Sequence, residues 1–485
     1  MRVCVSLVEK GVKEAVAAGL RAQELGADLI EVRFDRMDKL PEDLSPFRKL
    51  SVPKIATLRT VDQGGSSTHR DGERLRFFRR AVRIGFEYID IELNSPLASQ
   101  LGMEMRGDVK IICSHHDHDG TPRLSAIIDA LVSTSSRGDV AKVAFKINSI
   151  SDLARLVEAT RLFSAAGERH IIIGMGPLGG VTRLLGKAFG NEHVYASLEE
   201  GKEAAPGQYD VATLKSLGDH PVITGLTGYP LGHSLSPAMH DLAFREAGIA
   251  GRYLLFPAQK EELALLLDIM AELKLRGSNV TIPHKESVIP MLDEIDPLAM
   301  RVGAVNTIVN EKGRMIGRNT DVTGLEQALL TAGADPRGRK VLVVGAGGGA
   351  RACCGTLERR GAQIWVANRT PEKGREVAER FKARAVSLDE AAGMEFDMVV
   401  NTTPLGMKGF PDELPIDPGV FRPGQWAVDL VYNPARTRFL AEAESRGAKA
   451  LSGMEMLIYQ AMDAFETWTG HRPSYGVMSS GAGKG

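Results

Sequence analysis

Cysteine is scarce in this chain: four residues in 485, at Cys4, Cys113, Cys353 and Cys354. Their spacing fits neither a zinc site nor a disulfide framework, which suits a reducing compartment. An excess of one charge is also lacking. Lys and Arg number 60 against 61 Asp and Glu, for a formal net charge of -1, and without a basic block no nucleic-acid partner is expected. No apolar run approaches the ~20 residues of a membrane-spanning helix, so no membrane partner is expected. No signal-like segment precedes the strand-like opening MRVCVSLVEKG, and the expected location is cytoplasmic. The apolar and charged fractions, 43% and 25%, are those of a globular protein. This length exceeds one ordinary core, so two domains of about 200–250 residues are expected. The terminal SSGAGKG is low in complexity and is expected to be disordered.

The first 215 residues alternate short apolar runs with amphipathic stretches. The runs are RVCVSL, ADLIEVR, PKIATLR, EYIDIEL, VKIICS, DVAKVAF, HIIIGMG and HVYAS. Helical patterns such as GVKEAVAAGLRAQELG, ERLRFFRRAVRIG, LSAIIDALVS and SDLARLVEATRLFSAAG lie between several of them. Eight strands, most followed by a helix, predict an α/β fold of the (β/α)8 TIM-barrel type.

Lys142 interrupts the buried-strand pattern of DVAKVAFKI. Either its stem snorkels to the strand end or an amine is placed there for chemistry, because an ammonium in a core is costly unless paired or deprotonated. In a barrel, functional groups project from the C-terminal ends of several strands. Glu31 and Arg33 share a face at the end of the second strand, Arg59 ends the third, His116 follows the fifth, and Arg183 follows MGPLGG after the seventh. This set suits an anionic substrate approached by an amine. Such an amine can form an imine with a ketone once neutral, with Arg33, Arg59 and Lys146 as neighbouring cations. An imidazole such as His116 can move protons. The cluster His115, His116 and His118 also raises a metal site or a plain polar loop, but no ligand motif in a second segment accompanies it, and no metal is expected.

From about residue 221 a new α/β pattern begins: VITGL, RYLLF, GSNVTI and AVNTIV with helical stretches between them. RKVLVVGAGGGARACCGTLERRGAQIWVANRT then reads strand, glycine turn, helix, strand, a dinucleotide-binding unit. Gly345, Gly347 and Ala350 fit G-x-G-x-x-A, with Ala346, Gly348 and Gly349 between them. Where an NAD site would carry an acid for the ribose, the chain has Asn368, Arg369 and Thr370, which favours NADP. Lys285 and Asp321, from separate polar loops, are candidate proton donors for hydride transfer to a ketone. Ser234 and Ser236 lie in a hydroxyl-rich turn that either caps a helix or holds a carboxylate.

The stretches EVR (31–33), TLRT (57–60), SHHDHDGTP (114–122), DVAKVA (139–144), MGPLGGVTR (175–183) and APGQ (205–208) together resemble type I 3-dehydroquinate dehydratase. The resemblance implies an imine on Lys142, proton removal by His116, and substrate binding by Glu31, Arg33, Arg59, Arg183 and Gln208. Two positions depart from that family: Gln63 stands where an acidic residue is usual and Ala204 where a serine is usual. The second half is similar to shikimate dehydrogenase throughout, in GYPLGHSLSPAMHD, NVTIPHK, GAVNT, NTD, GAGGGA, NRT, NTTPLGM, DLVYNP and GMEMLIYQA. That resemblance makes Lys285 and Asp321 the catalytic pair. It implies that Ser234, Ser236, Thr281, Asn306, Tyr432 and Gln460 bind substrate. The glycine turn and residues 368–370 would hold NADP, with Thr402 and Gly453 near the nicotinamide.

The implied organisation is a dehydratase barrel at 1–216, a shikimate-binding α/β domain at 221–325, a Rossmann NADP-binding domain at 326–452, a returning helix at 453–475 and a disordered tail at 476–485. The implied substrates are small molecules: 3-dehydroquinate, 3-dehydroshikimate and shikimate. Gln63 and Ala204 raise one alternative, an active shikimate or quinate dehydrogenase with an impaired barrel. A non-catalytic metabolite sensor is a further alternative, and it would have no need of Lys142, His116, Lys285 or Asp321.

Overall fold

In the computed structural model, all residues are described except 105, 106, 108, 233, 484 and 485, together with the side chains of 102 and 103. The chain forms two compact units, Met1–Pro221 and Val222–Gly485.

In the first unit the eight apolar runs become eight parallel strands: β1 (Val3–Leu7), β2 (Leu29–Arg33), β3 (Lys54–Thr57), β4 (Tyr88–Glu92), β5 (Lys110–Asp117), β6 (Val140–Lys146), β7 (His170–Met175) and β8 (Val194–Ala196). Their order is β7-β6-β5-β4-β3-β2-β1-β8, with β1 pairing both β2 and β8. At the β7–β8 seam there is an isolated bridge between His170 and Asn191. There the side-chain amide of Asn191 stands in for a strand. Its Oδ1 accepts the Ile172 N–H at 2.7 Å and its Nδ2 donates to the Ile172 carbonyl at 3.1 Å. Inside the ring, Leu29, Ile55, Ile112, Val140 and Ile171 pack into one apolar layer with Cys4 and Tyr195.

Helices follow most strands. Asp71–Ile84 turns Phe77, Phe78 and Ala81 inward. Ile150–Ser164 starts at a reciprocal cap in which Ser149 Oγ accepts the Asp152 N–H and Asp152 accepts the Ser149 N–H, both at 3.1 Å; such a cap contributes on the order of 1 kcal/mol.

The second unit contains two sheets. The first is mixed, in the order β10-β9-β11-β13-β14-β12, from β9 (Val222–Gly228), β10 (Gly251–Pro257), β11 (Gly277–Val280), β12 (Glu294–Ile295), β13 (Thr307–Glu311) and β14 (Arg314–Arg318). The second is parallel, in the order β17-β16-β15-β18-β19-β20, from β15 (Lys340–Val344), β16 (Gln363–Ala367), β17 (Arg384–Val386), β18 (Met398–Asn401), β19 (Trp426–Asp429) and β20 (Lys449–Leu451). That order is the doubly wound one, and its direction reverses between β15 and β18, where such sheets bind ligands. The helix Met454–Thr469 returns to the first sheet, where Trp468 Nε1 donates to the Ile308 carbonyl at 2.9 Å.

The tail expected to be disordered is a helix instead, Tyr475–Gly481. Ser474 caps it, accepting the Val477 N–H, and Met478 is fully buried beside Met239, Phe244 and Phe465. Packing of one large apolar side chain overrides the low-complexity composition. Residues 484 and 485 of that expected tail lie outside the described residues.

Candidate active sites

Parallel pairing of β2 through β7 brings one end of each strand to a common mouth, and a cavity of about 530 Å³, counting solvent at its opening, lies there. Glu31, Arg33, Arg59, His116, Lys142, Arg183 and Gln208 all line it. Lys146 does not; it is the exposed last residue of β6. His115 points away from the cavity, with its ring 5.9 Å from that of Phe145. Among the described residues no group of three or more His, Cys, Asp or Glu is arranged to hold a metal ion.

The amine of Lys142 is enclosed, and the residue is 4% exposed. Its Nζ lies 2.8 Å from Asp90 Oδ2 and 4.1 Å from the centre of the Tyr195 ring. Asp90 also receives Arg59, whose Nη2 is 2.8 Å from the same oxygen, while Arg59 Nη1 donates to Ser114 Oγ at 2.6 Å. Ser114 donates in turn to Asp90 Oδ1 at 2.6 Å. Burial works to raise the Asp90 carboxyl, but Arg59 first and Lys142 second outweigh it and hold the group well below the usual carboxylate range. The Arg59 guanidinium is held above its ordinary value, because Asp90 and Glu92 outweigh its burial.

His116 shows the opposite balance. Burial, then the charges of Arg59 and Lys142, push its imidazole well below the ordinary value. The ring is therefore neutral near pH 7 and able to accept a proton. Its backbone N–H donates to Gln63 Oε1 at 2.9 Å. The Ala204 N–H donates to Gln208 Oε1 at 2.7 Å. Both unusual positions thus belong to loops docked on the cavity.

Glu31 accepts from Ser6 and Thr57 at 2.6 and 2.8 Å. Arg33 is committed to Asp35 through two bonds of 2.9 Å. Arg183 differs from the other two arginines. It pairs with no carboxylate among the described residues, its Nη1 donates to the Gly174 carbonyl at 2.7 Å, and its Nε has no partner. Burial lowers its pKa to about 10. An unneutralised buried guanidinium facing a cavity is a site for an anion such as a carboxylate.

The residues missed in the sequence are Asp90, Ser114 and Tyr195. Asp90 had a signal: Asp90 and Glu92 alternate with Ile89 and Ile91 along a parallel strand whose outer face helices cover, so the polar face has to be the inner one.

In the second unit the helix Thr320–Thr331 starts where Asn319 Oδ1 accepts the Val322 N–H at 3.2 Å, and this places Asp321 in its first turn. Lys285 Nζ donates to Asp321 Oδ2 at 2.6 Å. Asn306 Nδ2 holds the other oxygen at 2.9 Å and also reaches Gln460 Oε1 at 3.4 Å. Gln460 comes close because residue 324 is glycine; a Cβ there would stand 2.7 Å from the Gln460 nitrogen. Ser236 joins more remotely, through Tyr253, whose hydroxyl donates to Asn279 at 2.8 Å, and Asn279 donates to the Asn306 carbonyl at 3.2 Å. Ser234 accepts the Ser236 N–H at 3.2 Å. Ser234, Thr281 and Tyr432 make no hydrogen bond to the Lys285–Asp321 network among the described residues. Burial raises the Tyr432 phenol above its ordinary value.

The glycine turn leaves β15 at Gly345, whose φ of +123° favours glycine; a Cβ there would meet Thr402 Oγ1 at 2.3 Å. Thr402, after β18, donates to the Val344 carbonyl at 2.7 Å, so the two segments meet at the switch point. Gly347 caps the helix Gly348–Arg360 with no side-chain bond, and the space where its Cβ would stand is open. Ala350 is buried beneath, Ala346 is half-buried, and Gly349 lies near Leu430 and Thr402. Gly453 approaches the Leu430 carbonyl, where a Cβ would stand at 2.3 Å. After β16, Asn368 Nδ2 donates to the Thr370 carbonyl at 2.8 Å and Arg369 is exposed. An uncapped helix start with an open glycine face and a nearby arginine fits a dinucleotide with an extra phosphate.

Residues 3–219 match the family model for type I 3-dehydroquinase. Residues 226–308 match the shikimate dehydrogenase substrate binding domain, 328–404 shikimate / quinate 5-dehydrogenase, and 453–479 the shikimate 5'-dehydrogenase C-terminal domain. The chain is 34% identical to a bifunctional 3-dehydroquinate dehydratase/shikimate dehydrogenase of Arabidopsis thaliana, described as chloroplastic, over 96% of this chain and 82% of that protein. It is 45% identical to a shikimate dehydrogenase (NADP(+)) of Moorella thermoacetica, over 53% of this chain and 90% of that one. A crystal structure of shikimate 5-dehydrogenase from Thermus thermophilus in complex with NADP(H) and shikimate superposes with a TM-score of 0.51 at 38% identity, covering 54% of this chain and 99% of that one.

Proposed function

The chain belongs to the bifunctional 3-dehydroquinate dehydratase/shikimate dehydrogenase family, and from that premise we propose which side chains perform each reaction. It is a lyase and an NADP-dependent oxidoreductase in one polypeptide, acting in the shikimate pathway.

In the barrel, the neutral His116 takes a proton from the Lys142 ammonium; the freed amine attacks the ketone carbon of 3-dehydroquinate, and His116 returns the proton to the carbinolamine hydroxyl, which leaves as water to give the iminium. The iminium draws electrons from the adjacent carbon. The neutral His116 removes the proton there and returns it to the departing hydroxyl, which leaves as water. Hydrolysis of the iminium releases 3-dehydroshikimate and frees the amine. Arg183 takes the substrate carboxylate, while Glu31, Arg33, Arg59 and Gln208 line the remaining walls. The observation that carries this reading is the enclosed amine of Lys142, held between Asp90 and the Tyr195 ring in the same cavity as a neutral imidazole. Gln63 ties its loop to the His116 backbone and Gln208 closes its own loop on the Ala204 N–H, which favours a working barrel over an impaired one.

In the second unit NADPH, when bound, would supply the hydride for reduction of the 3-dehydroshikimate ketone. Lys285 gives a proton to the developing alkoxide and regains one from solvent, while Asp321 holds the amine in place. Asn306 and Gln460 orient Asp321, and with Ser234, Ser236, Thr281 and Tyr432 they form the substrate's polar surroundings. Gly345 to Ala350, Asn368, Arg369 and Thr370 would hold NADP(H), and Thr402 and Gly453 would lie on its nicotinamide side. All four cysteines are free and buried, and no described helix is long and apolar enough to cross a membrane; both fit the cytoplasmic location we assign.

The test is trapping. Incubation with 3-dehydroquinate and borohydride should place a covalent adduct on Lys142, located by mass spectrometry. No adduct there, with NADPH-dependent reduction of 3-dehydroshikimate intact, would defeat the barrel assignment alone.

A further inference from the structure

The helix beneath the glycine turn has a buried cation in its first turn. Arg351 is 7% exposed and reaches two carboxylates on different parts of the second unit. Its Nη2 donates to Glu376 Oε1 at 2.7 Å, on the helix Pro371–Arg380 that follows Asn368–Thr370. Its Nε lies 3.2 Å from Glu286 Oε2, on the residue next to Lys285. The contact to Glu376 is a hydrogen bond. The contact to Glu286 is an ion pair whose Nε–H has no aligned acceptor, so a small rotation of either side chain would complete a bond there.

The backbone shows the same proximity. A Cβ on Gly348 would stand 3.0 Å from Lys285 Cβ, so the segment carrying the amine rests on the first turn of this helix. One turn further on, Ala352 packs with Val302 and Val322, and a Cβ on Gly355 would stand 2.9 Å from Val302. The helix is therefore a shared wall: its open N-terminus faces the cofactor site and its flank holds the proton donor's loop.

We propose that Arg351 is a positioning residue of the reductase, tying the Lys285–Glu286 segment to the phosphate-facing helix so that occupancy of the two ligand sites is coupled. The inference rests on the assignment of Lys285 as proton donor and of the glycine turn as the NADP(H) site. An anion at the helix N-terminus fixes the first turn. Arg351 carries that order to Glu286 and so to the Lys285 amine. Linkage is reciprocal: whatever factor NADP+ adds to shikimate affinity, shikimate adds to NADP+ affinity.

The measurement is the dissociation constant of shikimate for the full chain, by calorimetry, with and without saturating NADP+. We expect tightening of roughly tenfold in the unaltered protein, within the usual range of such couplings. Glu286→Gln, an isosteric change at an exposed side chain, and Arg351→Gln should each bring that ratio to within about twofold of one, and the double variant should go no lower. Glu286→Gln should lower kcat and weaken NADP+ binding in the presence of saturating shikimate by about the lost factor, while leaving the NADP+ dissociation constant without shikimate nearly unchanged, because Glu286 does not reach the cofactor. Arg351→Lys should recover part of the coupling. Absence of coupling in the unaltered chain, its survival in Arg351→Gln, or multiplying losses in the double variant would each overturn the proposal. A Lys285→Ala arm separates the two readings: if it still turns over, the proton-donor assignment fails, whereas the coupling is judged on the Arg351 and Glu286 ratios alone.

Discussion

Asp90→Asn keeps the size of a side chain and removes one buried charge from behind Lys142 and Arg59, which line the barrel cavity. In the native protein that charge faces two cations, Lys142 Nζ and Arg59 Nη2, each 2.8 Å from one carboxylate oxygen. Asp90 has no exposure. Removing one partner of a buried ion pair typically costs about 3–5 kcal/mol, because the other partner is left buried and uncompensated. Here two cations lose their counter-charge, and the nearest remaining carboxylate, Glu92, is 3.9 Å from Arg59. Asparagine retains an acceptor, so about 4 kcal/mol is a fair central figure. For a unit of this size 1 kcal/mol moves the midpoint by about 2–4 °C, so the barrel transition should fall by about 8–16 °C. The acid limb should change as well. Arg59 and Lys142 depress the Asp90 carboxyl, so its contribution is complete above the unfolded value near pH 4 and is lost as pH falls below it. The variant should lack that component. Scanning calorimetry follows the unfolding, and the two activities of the same chain serve as local reporters: dehydration should fall at least tenfold while reduction of 3-dehydroshikimate holds. A midpoint shift below about 3 °C with borohydride trapping unchanged would refute the reasoning, as would an equal loss in both activities.

His193 gives a second test, because it is fully buried, neither ring nitrogen has a partner, and burial followed by the Lys142 charge lowers its pKa to about 3. The native state keeps it neutral, so its contribution is present above the unfolded value of about 6.5 and is lost as pH falls toward 3; between pH 7 and 5 that loss is about 2 kcal/mol. His193→Phe should remove that part of the barrel's sensitivity in urea unfolding, and an identical pH 7-to-5 loss in variant and parent would contradict it. For the cofactor, Arg369→Ala should cut the preference for NADPH over NADH by about tenfold or more, the scale of one charge-assisted hydrogen bond. Steady-state kinetics with both cofactors measure it, and an unchanged ratio would remove Arg369 from phosphate recognition.

The barrel strands were legible because each is a short apolar run bounded by turn residues, a pattern that survives without tertiary information. Lys142 stood out for breaking such a run. Asp90 stood out less, since alternation in EYIDIEL taken alone reads equally as a strand with one wet face; its signal emerges only once the strand is placed in a ring with helices outside, which sends its polar face inward. The hairpin of β13 and β14 left a visible turn at Lys312 and Gly313, both with positive φ, yet GRMIGR is too short and polar to stand out. The helix at 475–481 was hidden for another reason: Met478 is buried against Met239 and Phe244, residues far away in the chain. Nothing in the sequence marks Arg351, because its two partners come from segments 65 residues before it and 25 after it.

The Asn191 amide also has a mechanical meaning. Around most of the ring, strands are fastened by backbone ladders that substitutions other than proline leave in place. Across the β7–β8 seam, two of the fastenings belong to a side chain and so depend on one codon. That seam is the line along which the cylinder would first part under load or in a thermal fluctuation. It also lies next to β7, whose Gly174 carbonyl anchors Arg183. The seam and the proposed carboxylate-binding arginine are thus both anchored on β7, at Ile172 and Gly174.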